Sequence, residues 1–217
     1  MSGARLGAVL LAAGRGRRFG GDKLIAMIGD RPLLAHCIDI VAAAPAVEVV
    51  VALRPDSPAR GLAAERVRAH PHMRLLAVTG ADHGMGVTLR AALGALAPDL
   101  DGVFVFLGDM PLVPPTVASL LAAQGREDIA VIPTCGGKRG HPVLLGRALV
   151  ARAAELRDDA GFRTLLGRAA VQTVEVDAPG ILFDIDRAAD LAEAVRHHRT
   201  RFPASGMEEF RSAPDST

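Results

Sequence analysis

The chain has 217 residues, half of them hydrophobic, and 25 Lys and Arg against 24 Asp and Glu give a net charge of +1. That length suits one sizeable α/β domain with a real core. The balanced charge excludes a global field drawing the chain to nucleic acid or an anionic membrane, so any anion recognition has to be local.

Met1 to Ala13 holds one early arginine and a short apolar run. Arg15, Arg17 and Arg18 then stand where a secretory leader would need its small-residue cleavage site. No uninterrupted apolar run reaches the length of a membrane span. A cytoplasmic protein without leader or span is expected. Gly7 to Ala12 is apolar on both faces, as a central parallel strand should be.

The strand breaks into Gly14-Arg15-Gly16-Arg17-Arg18-Phe19-Gly20-Gly21-Asp22-Lys23. Gly14, Gly16 and Gly20 can take positive φ and carry no Cβ, so successive backbone N–H groups can close around a phosphate oxygen. Four cations in one short loop match polyphosphate, and guanidinium forks fit phosphate geometry. The alternative is a tight turn with a solvated basic face. A P-loop is excluded, because Gly-Lys-Ser and Gly-Lys-Thr occur nowhere. A dinucleotide fingerprint fails because Phe19 occupies its third glycine position.

Pro32 to Ala44 reads as a helix, Val47 to Leu53 as a strand, Pro58 to Ala69 as a helix and Arg74 to Thr79 as a strand. This alternation predicts a Rossmann-like, doubly wound, mostly parallel sheet with helices on both faces. Cys37 on the first helix and the distant Cys135 belong to no metal-binding spacing, so two ordinary buried thiols are expected. Gly84-Met85-Gly86 opens a helix running to about Ala97, whose bare N–H groups face either a ligand or an ordinary cap.

Gly102 to Leu107 is the most strand-like run and ends in Gly108-Asp109-Met110-Pro111. Ligands of open α/β sheets sit beyond the carboxyl ends of strands. Asp109 is therefore the leading metal ligand, since Mg²⁺ takes one or two protein carboxylates and fills its shell with phosphate oxygens and water. A helix at Pro114 to Ala123 and a strand at Ile129 to Pro133 follow. Next comes a second basic glycine-rich loop, Cys135 to Pro142, which meets an acidic co-substrate or decorates a hairpin. Beyond strand Val143 to Leu145 come a helix from Arg147 to Leu156, a short helix at Asp158 to Arg163 and strands at Val171 to Val176 and Gly180 to Ile185. Asp184-Ile185-Asp186 puts two carboxylates on one face of an extended segment. Asp186 serves either as N-cap of the last helix, Ala188 to Arg199, or as second metal ligand. Residues 1–199 form one domain, and 200–217 read as a disordered tail.

Leu11-Ala12-Ala13-Gly14 with Arg18 and Lys23, then Gly108-Asp109-Met110-Pro111, Arg139-Gly140-His141-Pro142, Asp159-Ala160-Gly161-Phe162-Arg163 and Asp184-Ile185-Asp186 together resemble the molybdenum cofactor nucleotidyltransferases. The resemblance spans roughly residues 5 to 196 and implies the nucleotide-diphospho-sugar-transferase-like fold. It implies transfer of CMP from MgCTP to the terminal phosphate of a molybdopterin-type cofactor, with release of pyrophosphate and delivery to a molybdenum hydroxylase or its maturation factors. Ala12-Ala13-Gly14 is similar to the cytidylyl-using version. Two departures stand out: Arg187-Ala188-Ala189 replaces the family's Thr-Pro-Glu before Asp190, and Asp158 stands where glycine is usual.

The resemblance then implies a division of labour. Leu11, Ala12 and Ala13 would border the nucleotide, while Gly14, Arg15 and Gly16 cradle the β- and γ-phosphates. Arg18 and Lys23 would meet charge at the α-phosphate, and Asp109 with Asp186 would hold Mg²⁺. Gly84, Met85 and Gly86 would face base or ribose, and Arg139, Gly140, His141, Pro142 and Arg163 the acceptor. Rival readings are a transferase of the same fold using GTP or another phosphorylated acceptor, an oxidoreductase with a degenerate dinucleotide loop, and a nucleotide-binding regulator.

Overall fold

A computed structural model describes residues 4–154, 166–167 and 169–201. Its strands are β1 (Leu6–Leu11), β2 (Met27–Ile28), β3 (Arg31–Pro32), β4 (Glu48–Leu53), β5 (Met73–Ala77), β6 (Gly102–Leu107), β7 (Ile129–Cys135), β8 (Lys138–Arg139), β9 (Val143–Gly146) and β10 (Ala170–Glu175). The helices are α1 (Leu33–Ala42), α2 (Arg60–Arg68), α3 (Met85–Gly94), α4 (Thr116–Ala122), α5 (Arg147–Ala154) and α6 (Ala188–Arg201).

The main sheet runs β10-β7-β9-β6-β1-β4-β5, with β8 paired to β7 off that path. β1 is parallel to both β4 and β6, as β4 is to β5 and β7 to β10. Along the central strands successive side chains go to opposite faces. Ala8 and Leu10 of β1 and Phe104 and Phe106 of β6 enter the core shared with α1, α2, α4 and α6. Val9 and Leu11 with Val103 and Val105 enter the core under α3 and α5. A strand buried on both faces needs this continuous apolar run, which is why β1 and β6 are legible as central strands.

The chain leaves β1 toward β4 on one side and, after β5, returns to β6 on the other. The carboxyl ends of β1 and β6 therefore flank the topological switch point, where open α/β sheets bind ligands.

β9 is antiparallel to both neighbours, β6 and β7, because the link from Cys135 to Val143 is too short for a parallel crossover; the sheet is otherwise parallel along its main path, as expected. One sequence expectation needs correction. Gly180 to Ile185 is not a strand: Pro179–Leu182 forms a 3-10 turn and the chain then crosses the strand ends. Gly14 lies outside the positive-φ region, whereas Gly16 and Gly20 adopt it at 58° and 81°. Cys37 and Cys135 are free thiols, the first buried and the second half-buried. The segment Asp158 to Arg163 and residues 202–217 of the tail expected from Thr200 lie outside the described residues, while Thr200 and Arg201 belong to α6. No helix among the described residues is long and apolar enough to cross a membrane.

Phe104 is fully buried at the centre of the sheet. Phe104→Ala is expected to cost about 3–5 kcal/mol in urea denaturation, the usual range for emptying a large aromatic site.

Candidate active site

β1 and β6 are in register so that Leu11 faces Leu107, and both strands finish level. The Gly108 N–H donates to the Leu11 carbonyl at 2.9 Å. A Cβ on Gly108 would stand 2.5 Å from Ala12 Cβ, so glycine is what lets Asp109 follow directly at the mouth of the cleft.

The loop after β1 turns with the Phe19 N–H donating to the Gly16 carbonyl at 2.9 Å. Phe19 packs its ring against the larger core and so anchors a loop that is otherwise glycine and cation. Asp22 Oδ1 then accepts from the Leu24 N–H at 3.0 Å, starting a 3-10 turn over Lys23–Ile25. That cap aims Lys23 inward, where the residue is only 7% exposed.

The Lys23 ammonium donates to Asp109 Oδ2 at 2.8 Å, to the Ile185 carbonyl at 2.8 Å and to Asp186 Oδ1 at 3.2 Å. An ammonium has three protons, so three partners satisfy it. Burial by itself would depress its pKa, but the two carboxylates outweigh burial and raise it above the ordinary lysine value. The hydrogen bond from Lys23 in turn holds the Asp186 carboxyl below the usual carboxylate value, and Arg18 adds to the effect. Arg18 Nη1 donates to Asp186 Oδ2 at 3.1 Å from a side chain that is 75% exposed. Partial desolvation pushes Asp184 upward, and the charges of Asp186 and Asp109 reinforce this.

The question left open at Asp186 has a structural answer. Asp190 Oδ2 accepts from the N–H groups of Asp186 at 2.9 Å and Arg187 at 2.7 Å. This is the reach-back half of a capping box. Asp190 caps α6, and the Asp186 side chain faces Lys23 and Arg18 instead.

An open cavity of about 290 Å³ is lined by Leu11, Ala12, Gly14, Gly16, Arg17, Arg18, Lys23, Gly108, Asp109 and Asp186. The structure thus gathers most of the nucleotide and metal candidates at one place. Arg17 and Gly108 join them without having been assigned a role from sequence. Ala13 is buried beside the cavity. Arg15 turns aside: its Nη2 donates to Asp82 Oδ2 at 2.6 Å, which ties the cationic loop to the turn before α3. The Asp82 carboxyl is lowered by that hydrogen bond. Met85 at the start of α3 is exposed, Gly86 is buried, and neither lines the cavity.

The acceptor candidates stand apart from the cavity wall. Arg139 is exposed on β8, while Gly140 and Pro142 are buried. His141 donates its backbone N–H to the Ile181 carbonyl at 3.0 Å, and burial lowers its imidazole pKa. Arg163 lies outside the described residues.

Residues 8–175 match the family described as the MobA-like NTP transferase domain. The 2-C-methyl-D-erythritol 4-phosphate cytidylyltransferase of Streptomyces avermitilis is 34% identical over 136 residues, covering 61% of this chain and 54% of that protein. A probable molybdenum cofactor guanylyltransferase of Thermococcus kodakarensis is 33% identical over 132 residues, covering 60% and 57%. The chain thus spans little more than half the length of these curated relatives. Among solved structures, the Rv0371c homologue from Mycobacterium sp. strain JC1 superposes with a TM-score of 0.75 at 29% identity, covering 90% of this chain and 99% of that one. Rv0371c of Mycobacterium tuberculosis, solved in complex with manganese, superposes at 0.70 with 24% identity over 88% and 98%.

Removing Lys23 leaves two facing carboxylates without their shared cation. Lys23→Ala is expected to cost about 2 kcal/mol at pH 7, below the 3–5 kcal/mol of fully buried pairs, because the Asp109 and Asp186 side chains are 26% and 40% exposed. Asp186 is depressed when folded, so its contribution is present above the unfolded carboxylate pKa of about 3.9. That contribution is lost as pH falls through the folded value. The penalty of Lys23→Ala, followed by denaturant titration, should accordingly shrink between pH 5 and pH 3.

Proposed function

This chain belongs to the MobA-like NTP transferase family, and on that premise we propose that it transfers CMP from MgCTP to the terminal phosphate of a molybdopterin-type molybdenum cofactor. The observation that carries the reading is the pair of carboxylates, Asp109 and Asp186, drawn onto the Lys23 ammonium at the edge of a glycine-rich, arginine-bearing loop. That arrangement suits a triphosphate with its divalent cation.

The attacking group is an oxygen of a phosphate monoester, already anionic at neutral pH. It forms a bond to the α-phosphorus while the bond from that phosphorus to the bridging oxygen breaks, and pyrophosphate leaves. No nucleophilic side chain or strong base is required, so catalysis reduces to positioning and charge neutralisation. Lys23 is held at a fixed depth and supplies a rigid positive charge at the triphosphate. Arg18 is exposed and, among the described residues, hydrogen-bonded to Asp186, so it can swing onto the α-phosphate as negative charge develops. Gly14 and Gly16 present backbone N–H groups without a Cβ in the way.

Asp109 and Asp186, side by side on the Lys23 ammonium, are the ligand type Mg²⁺ takes, one or two from protein and the rest from substrate oxygens and water. Asp109 and Asp186 would hold the ion, and bound there it would neutralise phosphate charge and align the leaving group. Manganese in the crystals of a structural neighbour supports a divalent cation in this reading.

The cytidylyl assignment rests on Ala12-Ala13-Gly14 and on a curated relative that is a cytidylyltransferase. GTP is the competing donor, because another relative is named as a guanylyltransferase. The acidic acceptor would approach from the side of Arg139 and His141, with Arg163 assigned there by motif alone. The product would pass in the cytoplasm to a molybdenum hydroxylase or its maturation factors.

Incubation of the protein with Mg²⁺, molybdopterin-bound molybdenum and an equimolar mixture of four NTPs, followed by mass identification of the dinucleotide, tests the assignment. The cytosine dinucleotide is expected; a guanine dinucleotide, or no dinucleotide from this acceptor, overturns it. Arg18→Ala should lower kcat by roughly a hundredfold, about 3 kcal/mol of transition-state stabilisation. Near-normal turnover would remove Arg18 from the chemistry. Asp109→Asn should raise the Mg²⁺ concentration needed for half-maximal rate, and an unchanged titration would refute its role as ligand.

A further inference from the structure

Asp186 reaches the cleft on a strap, residues 176–186, that leaves β10 and crosses the carboxyl ends of β7 and β6. Hydrogen bonds to its backbone fasten it. The Val176 N–H donates to the Thr134 carbonyl at 2.8 Å, the His141 N–H to the Ile181 carbonyl at 3.0 Å and the Ile185 N–H to the Asp109 carbonyl at 2.9 Å. Lys23 donates to the Ile185 carbonyl at 2.8 Å. Ile181 and Ile185 are fully buried, so the strap is gripped by side chains as well as by hydrogen bonds.

Two glycines set how closely the strap lies. A Cβ on Gly140 would stand 2.4 Å from the Ile181 carbonyl oxygen, and one on Gly180 would stand 2.0 Å from the Leu112 carbonyl oxygen. Both obstacles are backbone atoms, which cannot swing away as a side-chain tip can. Neither glycine has a positive φ, so each is needed for space and not for conformation.

The direction of yielding follows from what holds each part. The Gly140 N–H is bonded to the Pro133 carbonyl at 2.9 Å. Glu175 pins the same hairpin, accepting from the Gly136 N–H at 2.7 Å and the Thr134 hydroxyl at 2.5 Å. Extra bulk at Gly140 therefore pushes the strap and not the hairpin. Gly180 is backed against Leu112, so the push is relieved along the strap toward Ile185 and Asp186.

We propose that Gly140, acting through Ile181, is a positioning residue for Asp186, so that the Arg139-Gly140-His141-Pro142 hairpin sets how the Asp109 and Asp186 carboxylates meet. This gives Gly140 a role in packing that is separate from touching an acceptor. Its consequence for metal binding rests on the reading of Asp109 and Asp186 given above.

The test is Gly140→Ala, read by ¹⁵N–¹H spectra and by Mn²⁺ titration of the full chain, with Lys138→Ala on the exposed tip of the hairpin as control. The amides of Ile185, Asp186 and Asp109 should shift in Gly140→Ala but not in Lys138→Ala. The Mn²⁺ dissociation constant should rise about tenfold in Gly140→Ala, as when a residue orienting a ligand is lost, and stay at the wild-type value in Lys138→Ala. If Gly140→Ala does not fold, Glu175→Gln loosens the hairpin without adding bulk and should move the same amides by a smaller amount. Changes confined to residues 134–142, with Mn²⁺ affinity as in the wild type, overturn the proposal. Asp109→Asn in the same titration separates the two claims. If it leaves Mn²⁺ binding intact the metal reading falls, while the amide shifts still decide the coupling.

Discussion

Lys23 carries a full charge into a buried position, and burying a charge costs several kcal/mol unless partners compensate it. The compensation comes from three partners in two sequence-distant places: Asp109 at the end of β6, and Asp186 with the adjacent Ile185 carbonyl at the end of the strap. Each of these elements is fixed for reasons of its own. β6 is held in the central sheet, the strap is bonded to β7 and to Asp109, and Asp22 caps the turn that aims the lysine. The buried ammonium converts these separate constraints into one geometry, in which two carboxylates converge on a point at the lip of a cationic loop.

The proposed reaction would ask for little beyond that geometry. A phosphate monoester would bring its own negative charge, and the protein's part would be to hold a triphosphate still and offset charge as it moves to pyrophosphate. In that proposal a deeply held cation and an exposed one would divide the work. Lys23 is locked by three hydrogen bonds, whereas Arg18 is tethered by one and reaches into solvent. Arg15 is engaged with Asp82, so a triphosphate that recruits it has to compete with that carboxylate.

Much of this was readable from sequence because local patterns caused it. The unbroken apolar run of β6 makes a strand buried on both faces, and Asp109 directly after it lands at a strand end by topology alone. Glycines and arginines after β1 marked the loop that lines the cavity. What sequence could not supply was pairing over long separations. Nothing near Arg15 names Asp82 as its partner, and nothing near Asp186 says that Asp190 takes over the capping role. Arg187 in the N-cap place hides the capping box that Asp190 half completes. The strap was misread as a strand because Ile181 and Ile185 are apolar for packing across strand ends, a pattern that resembles pairing within a sheet. The hairpin left open at Cys135 to Pro142 is the one that forms, and its short connection is what makes β9 antiparallel.

The central claim is that Asp109 and Asp186 share a divalent ion with a triphosphate seated on the loop from Gly14 to Lys23. Anomalous diffraction from crystals grown with Mn²⁺ and a non-hydrolysable CTP analogue addresses it directly. The account predicts one strong manganese peak bonded to oxygens of both aspartates and to the triphosphate, with the phosphates against that loop. A manganese peak away from the two carboxylates, or a nucleotide bound elsewhere on the sheet, would contradict it.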